Sequence, residues 1–132
     1  MYFATLRYLV GLLLAIALWP LSALAVTSHA EVLVQRVAPA QLDCWRRVEA
    51  VWTEFNGRQP GFSGQTLYYD REHAEAFSVV LWEAERARRQ VPAEAIARTV
   101  RRAEQVGSAC GLTPAQLNAA VRRRDLEQLP PL

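Results

Sequence analysis

The side chains in this sequence best able to do chemistry are few, and each must be judged by the element that carries it. His73, one of two histidines, has an unperturbed pKa of about 6.5 and could serve as a base at neutral pH. It falls in the polar run Asp70-Arg-Glu-His-Ala-Glu75, far in sequence from any nucleophile, which favours an exposed loop histidine. Tyr68 and Tyr69 are neighbours in a β-forming run, so one reaches an interior and the other the helices or solvent. Gln35 and Arg36 divide in the same way on an earlier run, and whichever is buried needs a polar partner. Trp82 ends a third β-rich run and offers a flat surface for stacking an aromatic ligand, although a tryptophan so placed is more often core. Trp52 and Phe55 lie on an apolar helical stripe, where the first expectation is packing onto a sheet.

Two cysteines, Cys44 and Cys110, complete the reactive inventory. A bridge between them would close a loop of about 65 residues, for which chain entropy gives on the order of 4 kcal/mol. The disulfide is expected, with two buried free thiols as the alternative. Two distant cysteines and one histidine in the body of the chain make a poor ligand set, so neither a metal nor a cofactor is expected.

The compartment that would keep such a disulfide is implied by the first residues. Arg7 precedes an apolar run from Tyr8 to Trp19, Pro20 breaks it, and Ala23-Leu-Ala25 supplies small side chains for a signal peptidase. Residues 1–25 are therefore read as a signal peptide, and export to the periplasm or the exterior is expected. The alternative is a membrane anchor formed by residues 8–26, close to the roughly 20 residues that span a bilayer. Cleavage removes Arg7 and leaves 14 arginines, no lysine and 13 acids, a charge near +1 that argues against a nucleic-acid partner. The remainder is long enough for one modest core and too short for a second domain.

The elements that must position these residues can be read from period and punctuation. Residues 26–30, including His29, are short and polar and read as a flexible lead. Glu31 to Val37 is a β-branched strand. Pro39 opens a helix running to about residue 55, with Leu42, Cys44, Trp45, Val48, Val51, Trp52 and Phe55 buried and Asp43, Arg46, Arg47, Glu49 and Glu54 wet. Ser63 to Tyr69 and Ala76 to Trp82 form an antiparallel hairpin. Glu83 to Gln90 has helical composition, and a further helix runs from Pro92 to Gly107. Thr113-Pro114 starts a last helix to Arg124, whose Arg122-Arg-Arg124 is read as a solvated end, and Pro130-Pro131 closes a loose tail. The domain is placed at 31–110, with 111–132 appended as helix and tail.

Val51-Trp52-Thr53, Gln59-Pro-Gly-Phe62-Ser-Gly64, Val80-Leu-Trp82-Glu-Ala84 and Val91-Pro92, in that order and spacing, resemble the antibiotic biosynthesis monooxygenase-like (ABM) group of the dimeric α/β-barrel superfamily. The resemblance covers roughly residues 31–107 and implies an α+β, ferredoxin-like sandwich, β-α-β-β-α. It also implies a homodimer through the open sheet face and a largely apolar cavity in each subunit. Its members differ in reaction: some oxidise polycyclic phenols without a cofactor, others degrade haem or isomerise lactones, so fold is implied more firmly than activity. The haem-degrading pattern is not met, because strand one offers Gln35 and no Asn, and no His or Trp follows Trp82. A further departure is that a C-terminal helix is expected in place of the usual fourth strand. The resulting expectation is an exported domain that binds a small apolar or aromatic ligand at the open sheet face, with Gln35, Trp52, Tyr68 and Trp82 as ligand-binding residues. A cofactor-independent phenol monooxygenase and a non-catalytic interaction module are the alternatives.

Overall fold

The computed structural model describes residues 28–118 and 121–128, so the expected signal peptide and anchor lie outside the described residues. Strand β1 (His29–Arg36) is followed by a 3₁₀ turn at Pro39–Gln41 and helix α1 (Leu42–Asn56). Strands β2 (Phe62–Asp70) and β3 (Glu75–Trp82) form the hairpin; a short helix α2 (Glu85–Arg89) and the long helix α3 (Ala93–Cys110) follow. Helix α4 (Pro114–Asn118) and strand β4 (Arg122–Glu127) complete the order. The sheet is antiparallel with order β2-β3-β1-β4, the ferredoxin-like arrangement.

Cross-strand register assigns every sheet residue to a face. Glu31 opposes Val80, Leu33 opposes Ser78 and Gln35 opposes Ala76, while Gln65, Leu67 and Tyr69 oppose Val80, Ser78 and Ala76 from the other side. This face lies under α1 and α3. Ala76, Ser78, Val80 and Trp82 are all buried on it, and Val37, Cys44, Trp45, Ala76 and Leu112 form the core at one end. The opposite face carries Val32, Val34, Phe77, Val79, Tyr68, Leu81 and Leu126, and none of the described residues forms a layer over it; Tyr68 is 58% exposed there. Alternation along a strand is the reason that one half of each strand packs and the other does not.

Two expectations about the ends are corrected. Residues 29 and 30 are not a flexible lead: β1 begins at His29, whose ring is buried and whose Nε2 lies 3.1 Å from Asp125 Oδ1. Nor does a helix replace the fourth strand. Among the described residues the helix here is Pro114–Asn118, and Arg122–Glu127 pairs along β1 with Leu33 opposite Arg123 and Glu31 opposite Asp125. The Arg-Arg-Arg-Asp-Leu-Glu run lacks β-branched residues, and all six residues are exposed, so local preference does not make it a strand. The free backbone edge of β1 does, aided by a hydrogen bond between Asp125 and His29 and by ion pairs from Asp125 to Arg88, from Arg123 to Glu31 and from Arg122 to Glu75. The boundary at residue 110 therefore divides one domain, since Leu112 is core and β4 is part of the sheet.

Cys44 near the start of α1 and Cys110 at the end of α3 are joined in a disulfide, with Cα atoms 5.5 Å apart. Beside it α3 and α4 come so close that a Cβ on Gly107 would sit 2.7 Å from Leu117 Cδ1 and 3.0 Å from the Leu112 carbonyl oxygen. Replacing a helical glycine by alanine ordinarily gains up to about 1 kcal/mol. Here overpacking of about 1 to 3 kcal/mol outweighs it, so Gly107→Ala is expected to lower the urea midpoint. Titration of the denatured, unreduced protein with a thiol reagent should find no free thiol, and Cys44→Ala/Cys110→Ala should lose up to about 4 kcal/mol of stability.

Candidate functional site

Between the covered sheet face and the helices lies a cavity of about 170 Å³. Its apolar walls are Leu33, Trp52, Phe55, Val80, Val91 and Ile96, and its polar lining includes Glu49, Asn56, Gln65 and Ser78. Larger depressions exist, one an open groove of about 720 Å³ along α1, but that groove is lined mainly by surface side chains such as Asp43, Arg46 and Arg47. The smaller, partly open cavity is the place where apolar surface and convergent polar groups meet.

Gln65 on β2 organises its polar side. Its Nε2 donates to Glu49 Oε2 at 3.0 Å and to Ser78 Oγ at 2.8 Å, while its Oε1 is 3.5 Å from Asn56 Nδ2. Glu49 is 7% exposed, and among the described residues it forms no ion pair. Burial pushes its carboxyl up to about 7 from 4.5, against the opposing pull of hydrogen bonds from Ser78 and Gln65. Charged groups stand at the cavity's other end: Glu31, Arg88 and Arg123 line it, and Arg88 Nε lies 3.3 Å from Glu31 Oε2 and 3.4 Å from Asp125 Oδ1. Arg88 Nε is nevertheless buried without a partner in hydrogen-bonding geometry among the described residues.

The residues singled out from the sequence do not form one cluster. Trp52 lines the cavity. Gln35 is on the same sheet face and lines a smaller adjoining space of about 70 Å³ with Glu49, Trp52 and Glu104. Trp82 is also on this face, but buried at the sheet's end, where its ring meets Phe62 edge-on at 5.8 Å. Tyr68 is on the opposite, open face, so no single small ligand can touch both it and Trp52; the enclosed space is on the helix side of the sheet rather than at its open face. Tyr69 points to the helices and donates its hydroxyl to the Val37 carbonyl at 2.8 Å. His73 is exposed in the hairpin loop, 2.7 Å from Asp70, and its hydrogen bonds hold the Asp70 carboxyl below the usual range.

Glu49, Gln65 and Ser78 were not singled out, and Glu49 was placed on the wet side of α1. The missed signal was spacing: Trp45, Glu49, Trp52 and Asn56 follow one another at four, three and four residues, which puts the carboxylate inside the apolar stripe. Among the described residues no group of three or more His, Cys, Asp or Glu side chains is arranged to hold a metal, and no helix is long and apolar enough to cross a membrane.

The architecture is that of a ferredoxin-like α+β sandwich with one covered and one uncovered sheet face. No protein-family model matches the chain, and no curated protein matches it in sequence. In three dimensions it is similar to a monooxygenase from Streptomyces coelicolor solved with the ligand nanaomycin D, with a TM-score of 0.56 and 16% identity over 81% of this chain and 91% of that one. A Bordetella bronchiseptica protein described as an antibiotic biosynthesis monooxygenase gives 0.56 and 13% over 79% and 99% of the two chains. Rv0793 from Mycobacterium tuberculosis gives 0.51 and 11% over 80% and 97%. These likenesses are of fold: the chain shares its ferredoxin-like α+β architecture with these proteins.

The raised Glu49 pKa sets a pH window for stability. Between about 4.5 and 7 the folded protein keeps a proton that the unfolded chain releases, so this group's contribution is fully present below 4.5 and is lost as pH rises towards 7. The loss is on the order of 3 kcal/mol. Glu49→Gln should remove this slope, so that the variant gains on wild type in urea unfolding across that window and is the more stable of the two above pH 7.

Proposed function

We propose that this protein is an exported binding domain for a small oxygenated aromatic molecule, held in the cavity between sheet and helices. The observation that carries the reading is the cavity itself, an apolar chamber with Trp52 and Phe55 in its wall and the Glu49, Gln65 and Ser78 array on its polar side. A dry cavity of about 150 Å³ admits benzene, so about 170 Å³ suits one substituted ring. The apolar wall favours the ring, and the array favours a hydroxyl or carbonyl on it.

Export is supported by the order Arg7, apolar run, Pro20 and Ala23-Leu-Ala25, and by a disulfide of the kind that persists in oxidising compartments. A homodimer is supported by the uncovered face, whose Val32, Phe77, Val79, Leu81 and Leu126 are more apolar than a solvated sheet requires. Cofactor-independent oxygenation of a phenol is the second reading, favoured by an acid-base group inside the cavity. Consumption of dissolved oxygen with an activated phenol would separate catalysis from binding alone.

Isothermal calorimetry with a panel of single-ring phenols and their hydrocarbon counterparts tests the main reading. Phenols should bind in preference to the hydrocarbons, and Trp52→Ala should weaken them about tenfold, the size of a stacking contact of roughly 1.4 kcal/mol. Equal or absent binding across the panel would remove it. Native mass spectrometry should find a dimer that Val79→Glu converts to monomer; a monomeric wild type would remove the dimer.

A further inference from the structure

We propose that Glu49 is the proton acceptor of this cavity, which Arg88 also lines, taking the hydroxyl proton of a bound phenol. The proposal rests on the cavity-binding reading above and adds to it a reactive role and an acidic class of ligand. In the transfer the ligand O–H bond breaks and a new O–H bond forms on the Glu49 carboxyl. The electron pair stays on the ligand oxygen, so no oxidant or reductant is required.

Three features of the geometry support it. Glu49 is buried on the wall of an apolar cavity and has no cation paired to it among the described residues, so nothing commits it to the charged state. It is not left bare either: Gln65 donates to Oε2, Ser78 is hydrogen-bonded to the carboxyl, and Gln65 is itself held by Asn56 and Ser78. A carboxyl that is desolvated yet supplied with donors is balanced between its two forms, the condition for a general base near neutral pH; its pKa of about 7 agrees. The third feature is Arg88, on the lining of the same cavity, whose guanidinium is ion-paired with Glu31 and Asp125 but whose buried Nε–H makes no hydrogen bond among the described residues.

The charged surroundings are sparse enough to leave that balance in place. Glu31 from β1, Arg88 from α2 and Arg123 from β4 share the main cavity, and Glu104 from α3 borders the adjoining one. Glu31 is engaged by Arg88 and Arg123, and Glu104 by the Asn118 amide at 3.3 Å. Transfer moves one negative charge from Glu49 to the ligand, so the net charge inside the domain is unchanged and no ion has to be drawn in from water. That conservation makes the step compatible with an apolar chamber.

The test uses 4-cyanophenol, whose phenol and phenolate absorb at different wavelengths, buffered just above pH 7, where more than half of Glu49 is ionised and the free probe is still mostly protonated. Binding to the wild-type protein should bring up the phenolate band, with a calorimetric enthalpy independent of the buffer because no proton leaves the complex. Glu49→Gln should bind the probe without that band. Ser78→Ala, which removes a hydrogen bond that favours the carboxylate, should strengthen the band at a given pH because Glu49 then holds the transferred proton more tightly, a readout that does not depend on the folding of Glu49→Gln. Bound probe with no phenolate band in the wild type, or an equal band in Glu49→Gln, would overturn the proton-acceptor role and leave the binding reading standing. No binding of the probe at all would overturn both.

Discussion

The position of β1 in the middle of the sheet is the constraint on which the rest of the structure depends. With β3 on one side and β4 on the other, its backbone groups are paired along both edges, and its side chains are divided between two environments that cannot be exchanged without a slip in register. Glu31, Leu33 and Gln35 go to the helix side and help build the cavity region. Val32 and Val34 go to the uncovered side, next to Phe77 and Val79 of β3. The same strand thus supplies a wall of the candidate site and part of the surface best suited to a second subunit.

The cavity follows from what α1 places over that sheet. Trp45 fills one end as core, Trp52 and Phe55 line the middle, and between them Glu49 faces Gln65 and Ser78. A leucine at position 49 would meet the packing demand with less desolvation penalty, so the carboxyl is a departure from a simple apolar stripe. Three uncharged polar groups, from α1, β2 and β3, surround it, so the arrangement spans the layers of the sandwich rather than one loop. Such local departures from stability rules are where function is most often found.

At the cavity's charged end, β4 and α2 bring ionic groups to a strand end that has little apolar burial of its own. Glu31, Arg88, Arg123 and Asp125 form a connected set of opposite charges to which His29 is hydrogen-bonded through Asp125, and Ser28 and Gln128 meet beside it through both side chain and backbone. Individually exposed pairs contribute little, but here Glu31 and His29 are buried by the strand they attract, so leaving either unpaired would be costly. The disulfide performs a comparable service at the opposite end of the helical layer, where it fixes α3 to α1 beside the close approach at Gly107.

Much of the fold was legible in the residues. Short β-rich runs placed β1, β2 and β3, Pro39 and Pro92 marked the starts of the helical segments, and the two cysteines were readable as a bridge from the expected export to an oxidising compartment. Local pattern is enough for elements whose apolar period and punctuation agree. It failed for β4, where six charged or exposed residues take the strand conformation only because β1 offers an unpaired edge, and for His29, which is polar in sequence yet buried by its neighbours. Trp52 was legible as a stacking or packing residue, but Tyr68 could not be assigned to a face until register was known. By itself, then, the sequence determined the order and amphipathic character of the main elements. Tertiary structure alone decided which side of the sheet is enclosed and that Glu49 stands inside it, because burial, and with it the balance between charged and neutral carboxyl, is a property of the layers that close around a residue and not of the residue.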